Sequence, residues 1–257
     1  QHSDGRHPMK EPMWPDDRAM RKLVEQAVSS QIGGEEKSRF QMRAKLGGML
    51  AAGSAGDLAL DTAWASAERL CRAMVKIVGD NIFESVTAVH QVDDCTISGV
   101  LENITPAGQI FWSVDGATPW NLIRAWCQHL LLNILEDSPT RCSFLIGSEE
   151  IVRFSPIDDT SEHLSVWVAL YQQGRTRPLP FFPRSALKFV EGNEASLKPA
   201  YDIWLGADYS KSRGEAEDPY FALAFRDNIE HALDGEFEKL APLIFRPMVN
   251  AMKVVTA

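Results

Sequence analysis

The chain has 257 residues, of which 45% are hydrophobic and 24% are charged, as in ordinary globular proteins. This length can bury a core without disulfides or metals, and the composition excludes collagen-like, low-complexity and wholly disordered classes. The net charge of −9 gives no electrostatic basis for gripping nucleic acid. A role with DNA would therefore depend on shape, or on charge supplied by another protein.

The start of the chain, its cysteines and its hydropathy bear on secretion, membrane insertion and the redox state of the thiols. The polar start without Met at Gln1 predicts no signal peptide and suggests a part of a longer protein. No apolar run approaches the roughly 18 residues of a membrane span. The four cysteines form no CxxC pair, which predicts reduced thiols in a cytosolic core rather than a zinc or redox motif. Cys127 and His129 are close in sequence but on different faces of a helix, so a metal site there is disfavoured.

The first third of the chain, residues 1–80, is predicted to be helical after a loose lead-in over residues 1 to 15. Apolar residues at helical spacing predict three helices, at about 16–31, 35–50 and 57–78. Asp16 or Asp17 is expected to cap the first helix, and the segment Ala51–Gly56 is expected to form a loop that uses Gly53 and Gly56.

The middle of the chain, residues 81–173, is predicted to be a core of strands and helices. β-branched residues and turn signals predict five strands, at about 86–92, 96–104, 109–114, 142–146 and 151–154. Thr118 and Pro119 predict the start of a helix between the third and fourth strands, and another helix is expected at about 161–171. The adjacent pairs Asp93-Asp94 and Asp158-Asp159 are predicted to mark solvated turns, and most of the tryptophans are expected in the core.

The last part, residues 174–257, begins with a proline-rich segment at 175–183 that favours an extended connector. Helices are predicted after it, with a polar loop at about 206–219 and a final helix at about 234–252. The three parts are expected to form one compact structural unit.

Three strands, a helix and two more strands form the layout of a PD-(D/E)xK nuclease core. There, two acids hold Mg²⁺, which activates water, and a lysine positions the nucleophile. Glu102 stands where the first acid is expected, but Ser113 and Asp115 occupy the region of the D/E-x-K motif, which is not present. No lysine occurs between Lys76 and Lys188, and arginine does not replace lysine in activating water because it keeps its proton. The sequence therefore predicts an α+β (α/β) fold with a restriction-endonuclease-like core and mixed sheet, flanked by helices, whose nuclease site is degenerate. Neither catalytic residues nor a metal or other cofactor are expected.

Scattered residues between about Phe40 and Met248 resemble the RecC C-terminal domain, part of the gamma subunit of exodeoxyribonuclease V (RecBCD). The matching positions, given in chain order, are Gly53, Gly56, Gly99, Leu101, Trp112, Trp126, His129, Leu130, Tyr171, Gly174, Pro178 and Leu179. Trp126, His129 and Leu130 fit a W-x-x-H-L pattern, and the run from Arg213 to Tyr220 is similar to an R-G-E-G-D-D run, from which Ala216 and Glu217 depart. Ala52 also departs, because the family tends to have a proline there. The order and spacing of these positions carry the resemblance.

The resemblance implies a nuclease-like domain without catalytic residues, in a bacterial cytoplasmic helicase–nuclease complex that repairs double-strand breaks by homologous recombination. The implied partners are the RecB and RecD subunits and, in the assembled complex, forked and single-stranded DNA. The implied roles are subunit assembly and the splitting or guiding of strands. The pin that splits the duplex has two candidate locations, the hairpin at 146–151 and the segment at 175–183.

Arg175, Arg177 and Arg184 are the residues from which we expect contact with DNA or with an acidic partner surface. These arginines also suit a solvated proline-rich loop that contacts neither. An active Mg²⁺-dependent nuclease, with its lysine supplied by Lys76 or Lys188, is the alternative function that the sequence leaves open.

Overall fold

The computed structural model describes residues 14–48, 50, 53–79, 81–206, 213–226 and 228–256. Most of the predicted lead-in, Ala52 and much of the predicted loop after Gly206 lie outside these residues. The chain divides into two compact units, residues 1–79 and 80–257.

The first unit contains three helices: α1 (Asp17–Ile32), α2 (Lys37–Leu46) and α3 (Ser54–Val78). The Asp16 side chain caps α1 as predicted, because its Oδ1 accepts the Ala19 N–H at 2.7 Å. The buried apolar faces of α1 and α3 pack together, and the rings of Phe40 and Trp64 lie 5.4 Å apart.

Two predicted boundaries in this unit were wrong. The second helix stops at Leu46 rather than near Leu50, because Gly47 and Gly48 follow and Gly48 has φ +67°, which a helix cannot use. The third helix starts at Ser54 rather than Asp57, so Gly56 lies buried within the helix and not in a loop.

The second unit is built on one six-stranded mixed sheet in the order β1-β2-β3-β4-β5-β6. The strands are β1 (Glu84–Val92), β2 (Cys95–Thr105), β3 (Gly108–Trp112), β4 (Ser143–Ile146), β5 (Glu150–Phe154) and β6 (Met252–Thr256). All neighbouring pairs are antiparallel except β3 and β4, which are parallel. Asp93 and Asp94 form the exposed two-residue turn between β1 and β2, as predicted, with Asp93 at φ +49°.

Helix α4 (Pro119–Ile134) makes the crossover that a parallel pair requires. The predicted cap is confirmed, because the Thr118 hydroxyl accepts the Asn121 N–H at 3.4 Å and Pro119 is the first helical residue. Helix α5 (Thr160–Gly174) packs with α4.

Among its described residues, the chain after residue 174 contains four α-helices and ends in a strand. It forms α6 (Pro183–Glu191), α7 (Lys198–Leu205), α8 (Pro219–Ala224) and α9 (Gly235–Ala251). The proline-rich segment before α6 contains no helix or strand, as predicted. The prediction missed β6, which continues directly from α9 and pairs with β5.

One buried core joins the sheet to the helices on both sides of the proline-rich segment. Its largest fully buried side chains are Trp126, Phe154, Phe182, Trp204, Phe237 and Phe245. Among the described residues, none of the helices has the length and hydropathy that crossing a membrane requires.

Candidate functional site

Glu102 lies on β2 next to an irregularity in the sheet. Glu84 pairs with Ile104 and Val86 pairs with Leu101, so that Glu102 and Asn103 stand opposite the single residue Ser85. This is a β-bulge, which bends a strand and re-aims its side chains. Asn103 has φ +56°, in the left-handed region that asparagine tolerates better than most residues. The bulge leaves Glu102 exposed and makes Asn103 part of the lining of a neighbouring cavity.

Ser113 follows β3 directly and lines the same cavity, whereas Asp115 is exposed and does not. The Ser113 hydroxyl oxygen accepts hydrogen bonds from the Asn121 side chain at 2.8 Å and from the Asp115 N–H at 3.2 Å. Asn121 also donates to the Gly116 carbonyl at 2.9 Å. Of the three predicted positions of a degenerate nuclease site, only Ser113 reaches the cavity.

Helix α4 forms one wall of the cavity through residues three or four positions apart, namely Asn121, Arg124, Ala125 and Gln128. The cavity has a volume of about 170 Å³, and among the described residues Arg124 is the only charged one that lines it. Glu102 and Asp115 contribute nothing to the lining, so an excess of positive charge remains. No sequence motif pointed to Asn103, Asn121, Arg124 or Gln128.

Gln109 on β3 fixes the orientation of the cavity wall. Its side chain is fully buried and donates to the Glu102 carbonyl and to the Gln128 side-chain oxygen, each at 3.2 Å. A main-chain carbonyl only accepts, so the Gln109 NH₂ group must face Glu102, and the Gln128 oxygen must therefore face Gln109. The side-chain oxygen of Gln109 is buried and has no hydrogen-bond partner among the described residues.

The three predicted contact arginines have different surroundings. Arg177 makes a bidentate ion pair with Glu236 on α9, with Nη1 to Oε2 at 3.0 Å. This pair raises the pKa of Arg177 and lowers the pKa of Glu236, in each case chiefly through the hydrogen bonds between them. Arg184 donates its backbone N–H to Glu215 and its guanidinium to the Arg213 carbonyl. Arg175 is exposed at the end of α5.

The Arg213-Gly214-Glu215 run has a structural explanation. The buried Glu215 carboxylate accepts the backbone N–H groups of Arg184 and Ser185, at 3.0 and 2.8 Å, and the Ser185 hydroxyl at 2.8 Å. It thereby caps the start of α6. A side chain at Gly214 would meet the backbone of Trp204 and Leu205 at 2.5 to 2.7 Å, so only glycine fits without displacing that backbone.

The W-x-x-H-L residues of α4 are also structural, because Trp126, His129 and Leu130 are all buried. The Nε2–H of His129 donates to the Ser155 carbonyl at 3.1 Å, and its Nδ1 accepts the Ser143 hydroxyl at 2.8 Å. Burial lowers the pKa of His129 to about 4. The ring is therefore neutral at physiological pH.

The same region gives no indication of a metal centre. Burial raises the pKa of the Cys127 thiol to about 12, so this thiol is protonated at neutral pH. Within the described ranges, no cluster of His, Cys, Asp or Glu has an arrangement that could hold a metal ion. Of the tryptophans expected mostly in the core, Trp64 and Trp126 are buried and Trp120 is 55% exposed.

The chain was compared with curated proteins and with models of protein families. None of the curated proteins matches it significantly. The family model of the RecC C-terminal domain matches residues 1–194, three quarters of the chain, although the R-G-E run at 213–220 lies beyond that match. The chain belongs to the RecC C-terminal domain family.

Proposed function

We propose that this chain is a non-catalytic domain of a RecC subunit in a bacterial cytoplasmic helicase–nuclease complex. It assembles with RecB and RecD and guides DNA strands during double-strand break repair, without a cofactor of its own. The family membership supports the setting, and two structural features support the role within it.

The topology of the sheet supports descent from a nuclease-like core. Strands β1, β2 and β3 form an antiparallel meander, and α4 then crosses over to β4, which runs parallel to β3. This is the strand–helix–strand layout on which a PD-(D/E)xK site is built. The second and third strands, which carry the acids in active enzymes, are here the strands that border the cavity.

The lining of that cavity is the single observation that carries the non-catalytic assignment. A metal-dependent nuclease needs carboxylates for Mg²⁺ and a lysine near the activated water. Here the polar lining consists of Asn103, Ser113, Asn121, Gln128 and Arg124. Neutral amides hold Mg²⁺ poorly, and an arginine that never loses its proton cannot serve as a base.

Arg175 is the best-placed of the three predicted arginines for contact with a partner or with DNA. Arg177 and Arg184 already make contacts within the domain. Replacing Arg177 would also remove its ion pair with Glu236, so its effect could come from a changed structure. Arg175→Ala is therefore the variant to test. Its control is Lys198→Ala, because Lys198 is an exposed cation outside this segment.

Co-purification with the RecD and RecB subunits of the same organism tests the proposed assembly role. We expect a stable one-to-one complex with RecD. In the assembled complex, Arg175→Ala should weaken binding to a DNA fork more than Lys198→Ala does. Failure to associate with either subunit would overturn the assembly role, and equal fork binding by the two variants would remove Arg175 from the contact.

A further inference from the structure

We propose that the cavity between β2, β3 and α4 binds a phosphate group through Arg124, Gln128 and Ser113, without a metal ion. The lining of the cavity suits a phosphate oxyanion, which a DNA strand or free phosphate can supply. We assign it to a backbone phosphate of a DNA strand, and only this choice of source rests on the proposed function.

The hydrogen bonds around the cavity leave donors available on Ser113 and Gln128. The Ser113 oxygen already accepts two hydrogen bonds, from Asn121 and from the Asp115 N–H. A hydroxyl also carries one hydrogen to donate, and neither of these two groups can receive it. The Ser113 hydroxyl is therefore able to donate to a bound acceptor.

Gln128 contributes donors for the same reason. Its side-chain oxygen receives the hydrogen bond from Gln109 at 3.2 Å, and this fixes its NH₂ group on the other side of the amide. The structure gives that NH₂ group no hydrogen bond to any described residue. The hydrogen bond from the buried Gln109 thus holds the two N–H donors of the Gln128 side chain at the cavity wall.

Arg124 provides the charge. It lies one turn of α4 before Gln128, lines the cavity, and pairs with no carboxylate among the residues that the structure describes. A guanidinium offers five N–H donors in a fork that suits phosphate oxygens. Since the rest of the lining is neutral, Arg124 gives the cavity a net positive charge.

The size and rigidity of the cavity also suit a small oxyanion. Its volume of about 170 Å³ corresponds to about six waters at roughly 30 Å³ each, enough for a phosphate group but small for a nucleoside. Asn121 is held by Ser113 and by the Gly116 carbonyl, and Asn103 is held by the bulge. The site is therefore largely formed before the ligand arrives.

The test is binding of a short, fluorescently labelled single-stranded oligodeoxynucleotide to the 257-residue chain, in EDTA and in Mg²⁺. We expect Arg124→Gln to weaken binding about tenfold, the effect of losing a charge-assisted hydrogen bond. Gln128→Glu keeps the acceptor for Gln109 but puts a negative charge into the cavity, and it should weaken binding at least as much. The matched control is Arg153→Gln, which removes an exposed arginine from β5 and should change binding less than twofold.

Competition separates the two sources of phosphate. Displacement of the oligonucleotide by inorganic phosphate at millimolar concentration would assign the site to free phosphate; resistance to it, with the Arg124 effect retained, would assign it to a DNA strand. Equal effects of Arg124→Gln and Arg153→Gln, a requirement for Mg²⁺, or no binding of the oligonucleotide would overturn the proposal. None of these outcomes depends on association with RecD, so the phosphate site and the assembly role can fail separately.

Discussion

Helix α4 carries two polar clusters that differ in one respect. The first, the histidine cluster, consists of His129 and Asn133 with Ser143, Ser155 and Arg141. The second, the donor cavity, consists of Asn121, Arg124 and Gln128 with Ser113 and Asn103. In the histidine cluster, donors and acceptors satisfy one another: the Asn133 side chain donates to the His129 and Arg141 carbonyls and accepts from the Ile157 N–H. In the donor cavity, the oxygens of Ser113 and Gln128 accept hydrogen bonds, while their hydrogens have no partner among the described residues.

This difference separates a polar cluster that stabilises the fold from one that can bind a ligand. Closed networks contribute to stability because removing one member leaves buried groups unsatisfied. A network with unused donors at a solvent-connected cavity contributes little to folding, and its hydrogen-bonding capacity is available to an anion. The two clusters should therefore respond oppositely to mutation.

The largest expected effect is the loss of the histidine ring. His129→Ala should lower the free energy of unfolding by about 3 kcal/mol, because it creates a cavity in the core and leaves the Ser143 hydroxyl and Ser155 carbonyl without their partner. Urea denaturation followed by circular dichroism measures this change. The control His231→Ala, at an exposed position, should change stability by less than about 0.5 kcal/mol. Equal effects of the two replacements would contradict the structural role of the histidine cluster.

The buried His129 should also make the stability of the fold depend on pH. The pKa of His129 is lowered from 6.5 to about 4, so between these values the unfolded chain binds a proton that the folded chain does not. Stability due to the neutral ring is present above pH 6.5 and is lost as the pH falls towards 4, by at most about 1.4 kcal/mol per pH unit. Urea titrations from pH 7.5 to 4.5 should show this decline in the unmodified chain and a shallower one in His129→Gln. Parallel pH profiles would count against a buried neutral histidine.

Glu215 extends the comparison to a closed network outside α4. Glu215→Gln replaces one of the accepting oxygens with an NH₂ group that cannot receive the Ser185 or Arg184 N–H. The expected loss is about 2 kcal/mol. Denaturation midpoints should fall for Glu215→Gln and stay unchanged for Glu230→Gln, a matched replacement at an exposed site. A midpoint unaffected by Glu215→Gln would mean that the carboxylate does not cap α6.

The smallest effect on stability is expected at the donor cavity. Arg124→Gln should leave the free energy of unfolding within about 0.5 kcal/mol of the unmodified chain, because no folded-state partner is lost. Its effect should instead be on binding. A loss of stability as large as that of His129→Ala would show that Arg124 belongs to a closed network after all.

Much of this fold is predictable from local signals. The cap at Thr118, the turn at Asp93-Asp94 and the first five strands follow from residue types at short spacing. Strand β6 does not, because Lys253, Val254 and Val255 follow α9 without a glycine or proline between them, and only pairing with β5 makes them a strand.

The donor cavity could be predicted only in part. The nuclease-like layout led to Glu102 near the end of β2 and to Ser113 after β3. Ser113 lines the cavity, whereas Glu102 does not and is the neighbour of Asn103, which does. The bulge at Asn103 changes which β2 side chain lines the cavity, and a bulge depends on strand register that the sequence does not reveal. Asn121, Arg124 and Gln128 are ordinary surface residue types, and only the crossover of α4 brings them beside β3.

Incubation of the chain with single-stranded DNA and Mg²⁺ or Mn²⁺ tests the central proposal, that this domain does not cut DNA. The DNA should stay intact in either metal, and the Glu102→Ala variant should behave identically. Cutting by the unmodified chain that Glu102→Ala abolishes would show an active nuclease and contradict the account.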